Sequence, residues 1–376
     1  MGRAVSAQPR QQGITRRAVL AGGAVGGVAL LVAAKIAARR LWLSSYENGA
    51  GVPATSPQII STVGTMPYRR FGATGLAVSE VGFGAWGIGS QAYGAVARED
   101  SLRALALAEE LGCNLVDTAM VYGDSEVVLG EFLKGRRNRW IVATKYSYQP
   151  GGMTATVEAQ LRRLGTDVID YYQLHSMPED ERIYQELSAL KKAGKVRFVG
   201  VSLYTAHDID QVLAQPLLDG IQIRLSLLDP DPFLRRVAQL RNGRLAVLVR
   251  STLKEGFLTG KFRRDASFPA AGDQRHDWSA ARIATTVDEV ERFRFLEAEA
   301  HSMVRAAVAY PLSFPEVSTV LLGTKNPAQA QENFGEIPGA RLTAASLERV
   351  RILQEEMDLG QRRTPSGLVR RMLGRY

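Results

Sequence analysis

A single cysteine, Cys113, in 376 residues leaves no intramolecular disulfide framework. It directly precedes an apolar stretch and reads as a packed core residue rather than a nucleophile. Histidine is almost as scarce. His175, His207, His276 and His301 are scattered, and no metal-ligand spacing occurs. There is no P-loop and no nucleic-acid motif. Acidic residues are missing from 361–376, which hold five arginines, and nearly missing from 1–65, which hold seven Lys/Arg against Glu47. Of the formal net charge of +9, +6 and +5 therefore belong to the two ends, and the body, 66–360, carries −2. A nearly neutral body has no broad basic footprint for nucleic acid.

What is present divides into four parts: 1–43, 44–65, 66–360 and 361–376. Arg16 and Arg17 precede a weakly apolar, Gly/Ala-rich run from 18 to 34. That arrangement resembles a twin-arginine (Tat) export signal. As a helix the run reaches only about 26 Å, short for a membrane span. Lys35, Arg39 and Arg40 follow it directly, so an uncleaved membrane anchor is as consistent with it as a cleaved signal. Residues 44–65 are polar and read as a linker. The tail 361–376 mixes arginines with Leu368, Val369, Met372 and Leu373. It reads as a solvated terminus, with a basic amphipathic membrane-surface helix as the alternative.

The folded body begins near Met66 with two short strand-like pieces around Gly72 and Gly75, a hairpin. Beyond it, apolar runs alternate with stretches of helical periodicity. The strand candidates are 78–84, 115–118, 140–144, 169–174, 196–201, 221–225, 245–250 and 317–322. Helices are expected between them at 101–111, 126–133, 154–164, 183–193, 206–214, 233–241 and 289–310, with 327–334 and 344–357 following the last strand. Eight short strands alternating with helices predict an α/β fold, a (β/α)8 TIM barrel with an N-terminal β-hairpin. A doubly wound open sheet is the alternative.

In such a barrel the chemistry sits at the C-terminal strand ends. In "NLVDTAMVYGD" (114–124), Asp117 ends the second strand and Tyr122 lies on the following loop. Lys145 ends the third strand in "WIVATK", and His175 ends the fourth in "IDYYQLH". A lysine at a buried strand end needs a partner for its charge. Four polar groups from three successive strands thus converge at one mouth, with Tyr122 placed to act as a proton donor.

These motifs resemble those of the aldo-keto reductases. "VDTAMVYGDSEVVLGEFL" (116–133), "VATK", "YYQLH", "GVS", "GFLTGK" and "LLGTKNPAQAQEN" follow in that family's order between about Met66 and Leu359. The resemblance implies hydride transfer between NADPH (NADH as alternative) and a small carbonyl compound, with catalytic residues Asp117, Tyr122, Lys145 and His175. A neighbouring ammonium lowers a phenol's pKa from its usual value of about 10. Lys145 is therefore expected to act on Tyr122, Asp117 to hold Lys145, and His175 to orient the carbonyl oxygen. The resemblance also implies cofactor contacts. Ser202 and Gln222 would meet the nicotinamide carboxamide, and Ser251, Leu253 and Gly256 the pyrophosphate. Gly323, Thr324 and Lys325 would meet phosphates, and Gln329, Glu332 and Asn333 the 2′-phosphoribose and adenine. Amides near Pro327 are further phosphate donors. Two positions depart from the pattern: Leu203 stands where asparagine is usual, and Arg250 where an aromatic stacks on the nicotinamide. A guanidinium can take over such stacking.

Trp86, Tyr93, Tyr146, Tyr148 and the segment 262–286, with Phe268, His276 and Trp278, are candidates for substrate contacts. A non-catalytic NADPH-binding regulatory subunit of the same fold is the competing function, and retention of all four catalytic residues weighs against it. The expected location is exported or membrane-anchored, or cytoplasmic if translation starts at Met66.

Overall fold

The structure is a computed structural model that describes residues 53, 58–89, 96–148, 151–270 and 273–359. The described residues all fall within one compact unit, Ser45–Tyr376. The stretch read as an export signal or anchor, most of the stretch read as linker, Tyr93 and the basic tail lie outside the described residues. Among the described residues no helix is long and apolar enough to cross a membrane.

Three short antiparallel strands open the fold: β1 (Ser61–Val63), β2 (Met66–Arg70) and β3 (Ala77–Ser79). Tyr68 pairs with Ser61 on one side and Ser79 on the other. The predicted hairpin is present, but β1 extends it into the stretch read as linker. All three β1 residues are exposed, so no apolar alternation marks the strand. Gly72 turns the hairpin at φ 54°, and a Cβ there would come within 2.4 Å of the Ala246 nitrogen. The Ala73 amide donates to the Arg244 carbonyl at 3.0 Å. Phe71 meets Tyr171 edge-on at 5.1 Å. The hairpin therefore stops the N-terminal end of the barrel and leaves the other end for chemistry.

The barrel strands are β4 (Val81–Gly84), β5 (Leu115–Asp117), β6 (Ile141–Tyr146), β7 (Ile169–Leu174), β8 (Val196–Ser202), β9 (Gly220–Arg224), β10 (Ala246–Arg250) and β11 (Thr319–Gly323). They close in the order β10-β11-β4-β5-β6-β7-β8-β9, every neighbour parallel. This is the predicted (β/α)8 barrel. Successive strand residues face opposite ways. Leu115, Ala143, Tyr171, Ala246, Leu248 and Leu321 point inward and pack as one core with Phe71 and Val78. Each fully buried aliphatic side chain contributes roughly 1.5–3 kcal/mol. Space is uneven around the ring. A Cβ on Gly200 would lie 1.8 Å from Tyr171 Oη, and one on Gly220 2.8 Å. Two glycines thus make room for one large inward tyrosine.

The structure corrects several predicted elements. The candidate strand 78–84 is two strands belonging to two sheets, broken at Glu80. That carboxylate is fully buried and takes hydrogen bonds from Arg69, Arg341 and the Gly339 amide. Gly82, Gly84 and Gly87 have G-x-G-x-x-G order, yet they do not form a phosphate turn. A Cβ on Gly82 would meet Leu115 at 2.8 Å and Leu321 at 3.0 Å inside the barrel. The stretch 289–310 is not one helix. The chain leaves helix Ala280–Glu291, takes short turns, reaches φ 68° at His301, and restarts at Met303–Leu312. Ser302 caps that restart by accepting from the Arg305 amide at 3.2 Å. The predicted helix 233–241 shrinks to Val237–Leu240, and 327–334 becomes Pro327–Ala330 followed by a π-helical turn, Gln331–Glu336.

Candidate active site

Strand alternation brings the site together. On β5 and β6 the inward set runs Leu115, Asp117 and Ala143, Lys145. On β7 and β9 it includes Tyr171, Gln173 and Gln222. The Lys145 ammonium donates to Asp117 Oδ2 at 2.5 Å and to the Thr118 carbonyl at 2.9 Å, and reaches Tyr122 Oη at 3.5 Å. Lys145 is 0% exposed and Asp117 4%. Two buried charges in such a setting need complete hydrogen bonding. Gln173 and Gln222 supply it, donating to the other carboxylate oxygen, Oδ1, at 2.8 and 2.9 Å.

The loop carrying Tyr122 is fixed at both ends. The Tyr122 amide donates to the Ala119 carbonyl at 3.0 Å. Thr118 Oγ1 and Ser125 Oγ are 2.8 Å apart, and Ser125 Oγ donates to the Ala85 carbonyl at 3.0 Å. Gly89 passes so close that a Cβ there would lie 1.9 Å from the Tyr122 carbonyl oxygen. Behind the strands, buried Glu126 accepts from Thr144 and Gln160, each at 2.7 Å, while Gln160 also donates to the Lys145 carbonyl at 3.2 Å. The His175 ring stands T-shaped to Tyr122 at 6.0 Å, and its Nδ1 lies 2.8 Å from Ser147 Oγ.

The electrostatics correct one expectation. Burial raises the Tyr122 phenol above its usual value of 10.0, although Lys145 pulls it down. The phenol is therefore protonated at neutral pH. Burial also opposes the charge on Lys145, but Asp117 and Tyr122 outweigh it and lift that pKa above 10.5. His175 is pushed down to about 4, by burial first and Lys145 second, so its ring is neutral.

All four predicted catalytic residues meet at one mouth. The predicted substrate contacts separate. Trp86 is 36% exposed and lies 6.1 Å from the Tyr122 ring. Tyr146 faces away from the interior because it follows inward Lys145; it is buried with its ring 5.3 Å from Tyr148. Trp278 stacks on Phe257 at 5.1 Å, and Phe268 packs on Phe257 and Phe262, so these residues hold the loop together.

Of the predicted cofactor residues, Ser202 is buried at the end of β8. Gln222 turns its amide to Asp117 and to Gln173 Oε1 at 3.2 Å instead of presenting it at the mouth. The loop after β10 has Ser251, Lys254, Glu255 and Gly256 at positive φ. Such a run of strained residues is typical of ligand clamps. It is anchored by Lys254 on Asp229 at 2.8 Å and by Arg275 on the Glu255 carbonyl at 3.0 Å. Leu253 is the half-buried centre of this loop. After β11, a Cβ on Gly323 would meet open space, and Asn333 donates to Thr324 Oγ1 at 2.9 Å. Glu332 is exposed. The Lys325 amide donates to Gln329 Oε1 at 3.0 Å and the Gln329 amide to Asn326 Oδ1 at 2.9 Å. Those amides are thus taken up locally rather than offered to phosphate. Open backbone at Gly323 beside a strained loop fits a bound dinucleotide.

Both departures are resolved in place. Leu203 is fully buried. Arg250 Nη2 donates to the Leu203 carbonyl at 3.1 Å, and its guanidinium lies 4.8 Å over the Tyr204 ring. Sequence reasoning missed Gln173, Ser147, Glu126 and Gly89. Glu126, inside "VDTAMVYGDSEVVLGEFL", and Gln173, inside "IDYYQLH", lay in segments already singled out.

The family model described as "Aldo/keto reductase family" matches residues 80–355. The chain is 26% identical over 330 residues to an aldo-keto reductase of Schizosaccharomyces pombe named for NADP(+), covering 81% of this chain and 96% of the relative. It is 28% identical over 320 residues to an NADH-specific methylglyoxal reductase of Escherichia coli, covering 76% and 98%. A putative voltage-gated potassium channel subunit beta of S. pombe is 28% identical over 308 residues, covering 71% and 87%. Among solved structures, a holo-form aldo-keto reductase from Bacillus halodurans superposes with a TM-score of 0.64 at 26% identity, covering 77% of this chain and 96% of that one.

Proposed function

The chain belongs to the aldo/keto reductase family, and from that premise we propose that it reduces an aldehyde, ketone or sugar carbonyl to the alcohol at the expense of NADPH, with NADH as the alternative donor. The observation that carries this reading is the buried Asp117–Lys145–Tyr122 chain flanked by His175.

NAD(P)H, when bound, supplies the hydride to the carbonyl carbon. The protein supplies the rest. As the carbonyl π pair moves onto oxygen, that oxygen takes the proton from Tyr122 Oη. Lys145, 3.5 Å from Oη, stabilises the phenolate left behind. Asp117, locked by Gln173 and Gln222, keeps that ammonium in place. A neutral His175, its Nδ1 2.8 Å from Ser147 Oγ, would bind the developing oxyanion through a protonated Nε2. Trp86 supplies an apolar wall beside Tyr122. The loop 251–256 and residues Gly323, Thr324, Lys325 and Asn333 would hold the dinucleotide.

The test is the fall in reduced-nicotinamide absorbance when the purified full chain meets aldehydes, ketones and aldoses. Turnover with alcohol formed supports the reading. Tight cofactor binding with no turnover on any carbonyl would favour a non-catalytic NADPH-binding subunit, the class that the potassium-channel relative brings to mind. Retention of all four catalytic residues speaks for the enzyme. For residues 1–43, the twin arginine and apolar run support a Tat-type signal or anchor. Cell fractionation with N-terminal mass measurement tests it, and a product beginning only at Met66 would end it.

A further inference from the structure

Among the described residues, two arginines at the mouth have no carboxylate in ion-pair contact. Arg224 ends β9 and Arg250 ends β10, and the two are register partners on neighbouring strands. Arg224 shares the inward face with Gln222, and Arg250 with Ala246 and Leu248. Both guanidinium groups therefore rise above the polar layer that holds Asp117. Arg224 Nε is buried without a hydrogen-bond partner among the described residues. Arg250 has a carbonyl and an aromatic face for partners, and no carboxylate. The site's acid is already spent, because Asp117 is bound by Lys145, Gln173 and Gln222. With Lys145 neutralised by Asp117 and His175 uncharged, Arg224 and Arg250 leave the mouth positive among the described residues. Arg250 is close enough to the reacting groups to bias both Tyr122 and His175.

Partly buried cations without a carboxylate partner are costly unless a ligand supplies the counter-charge. A pair of guanidinium forks suits a planar carboxylate, which can take two parallel N–H bonds from one of them. Resting on the reductase reading above, we propose that the substrate is a carbonyl compound bearing a carboxylate, which Arg224 and Arg250 hold while the carbonyl lies against Tyr122 and His175.

The test compares para-carboxybenzaldehyde with para-formylbenzamide, its neutral counterpart of the same shape, on the full chain with saturating NADPH. The expected result is a kcat/KM at least about tenfold higher for the acid, carried by KM, as one charge-assisted pair allows. In Arg224→Met and Arg250→Met that preference should fall towards unity. NADPH affinity, followed by protein fluorescence, is measured alongside. Equal kcat/KM for acid and amide in the wild-type protein would overturn the proposal and leave the reductase reading standing. Failure to reduce either aldehyde, or any other carbonyl, would count against that underlying reading instead. A retained preference in both variants, with weakened NADPH binding, would assign the arginines to a cofactor phosphate and also overturn the proposal.

Discussion

The Lys145 ammonium sits 2.5 Å from the Asp117 carboxylate, and neither group is open to solvent. The pair is only as good as its completeness. Removing one member leaves a buried charge without compensation, which costs about 3–5 kcal/mol. Asp117→Asn should therefore lower the urea midpoint by a corresponding amount, and adding Lys145→Met should recover part of the loss. An unchanged midpoint in the single variant would show that the pair is not buried as described. The sign with pH follows from the raised Lys145 pKa. Its contribution is complete below 10.5 and is lost as pH rises through the higher folded value.

His175 should behave in the opposite way. Its folded pKa is about 4 against an ordinary 6.5. The stability linked to its neutral ring is present above 6.5 and lost as pH falls towards 4. A histidine NMR titration should show the His175 ring changing near the lower value, and a midpoint at 6.5 or above would contradict the burial argument.

Gly89 tests the positioning of Tyr122. A Cβ there would sit 1.9 Å from the Tyr122 carbonyl oxygen, so the loop must move. Gly89→Ala should lower kcat by about 10²-fold, the scale of a small misplacement of a reacting group, while the circular dichroism stays native. Full activity in that variant would mean the loop tolerates displacement.

Much of this architecture was legible because barrel strands buried on both faces read as plain apolar runs. Lys145 and His175 stood out as charged or titratable groups at the ends of such runs. Gln173 did not, because an amide inside "IDYYQL" carries no sign that its partner is Asp117, 56 residues away. Ser147 acquires its role only when two adjacent strands bring it to His175. The break at Glu80 was invisible for the same reason, since Arg69 and Arg341 meet it only in the folded chain. Lys145 pulls the Tyr122 pKa down as expected, but burial outweighs it. A neighbouring lysine can be read from sequence, whereas the depth of burial that outweighs it cannot. Tyr146 was misplaced because neighbouring residues on a strand face opposite sides.

The account rests on Tyr122 as the proton donor, and Tyr122→Phe removes one oxygen and little else. The decisive measurement is steady-state reductase turnover of this variant beside its NADPH affinity. A loss of about 10²–10⁴-fold in kcat, with affinity for NADPH close to wild type, is the predicted result. Near-wild-type turnover would contradict it.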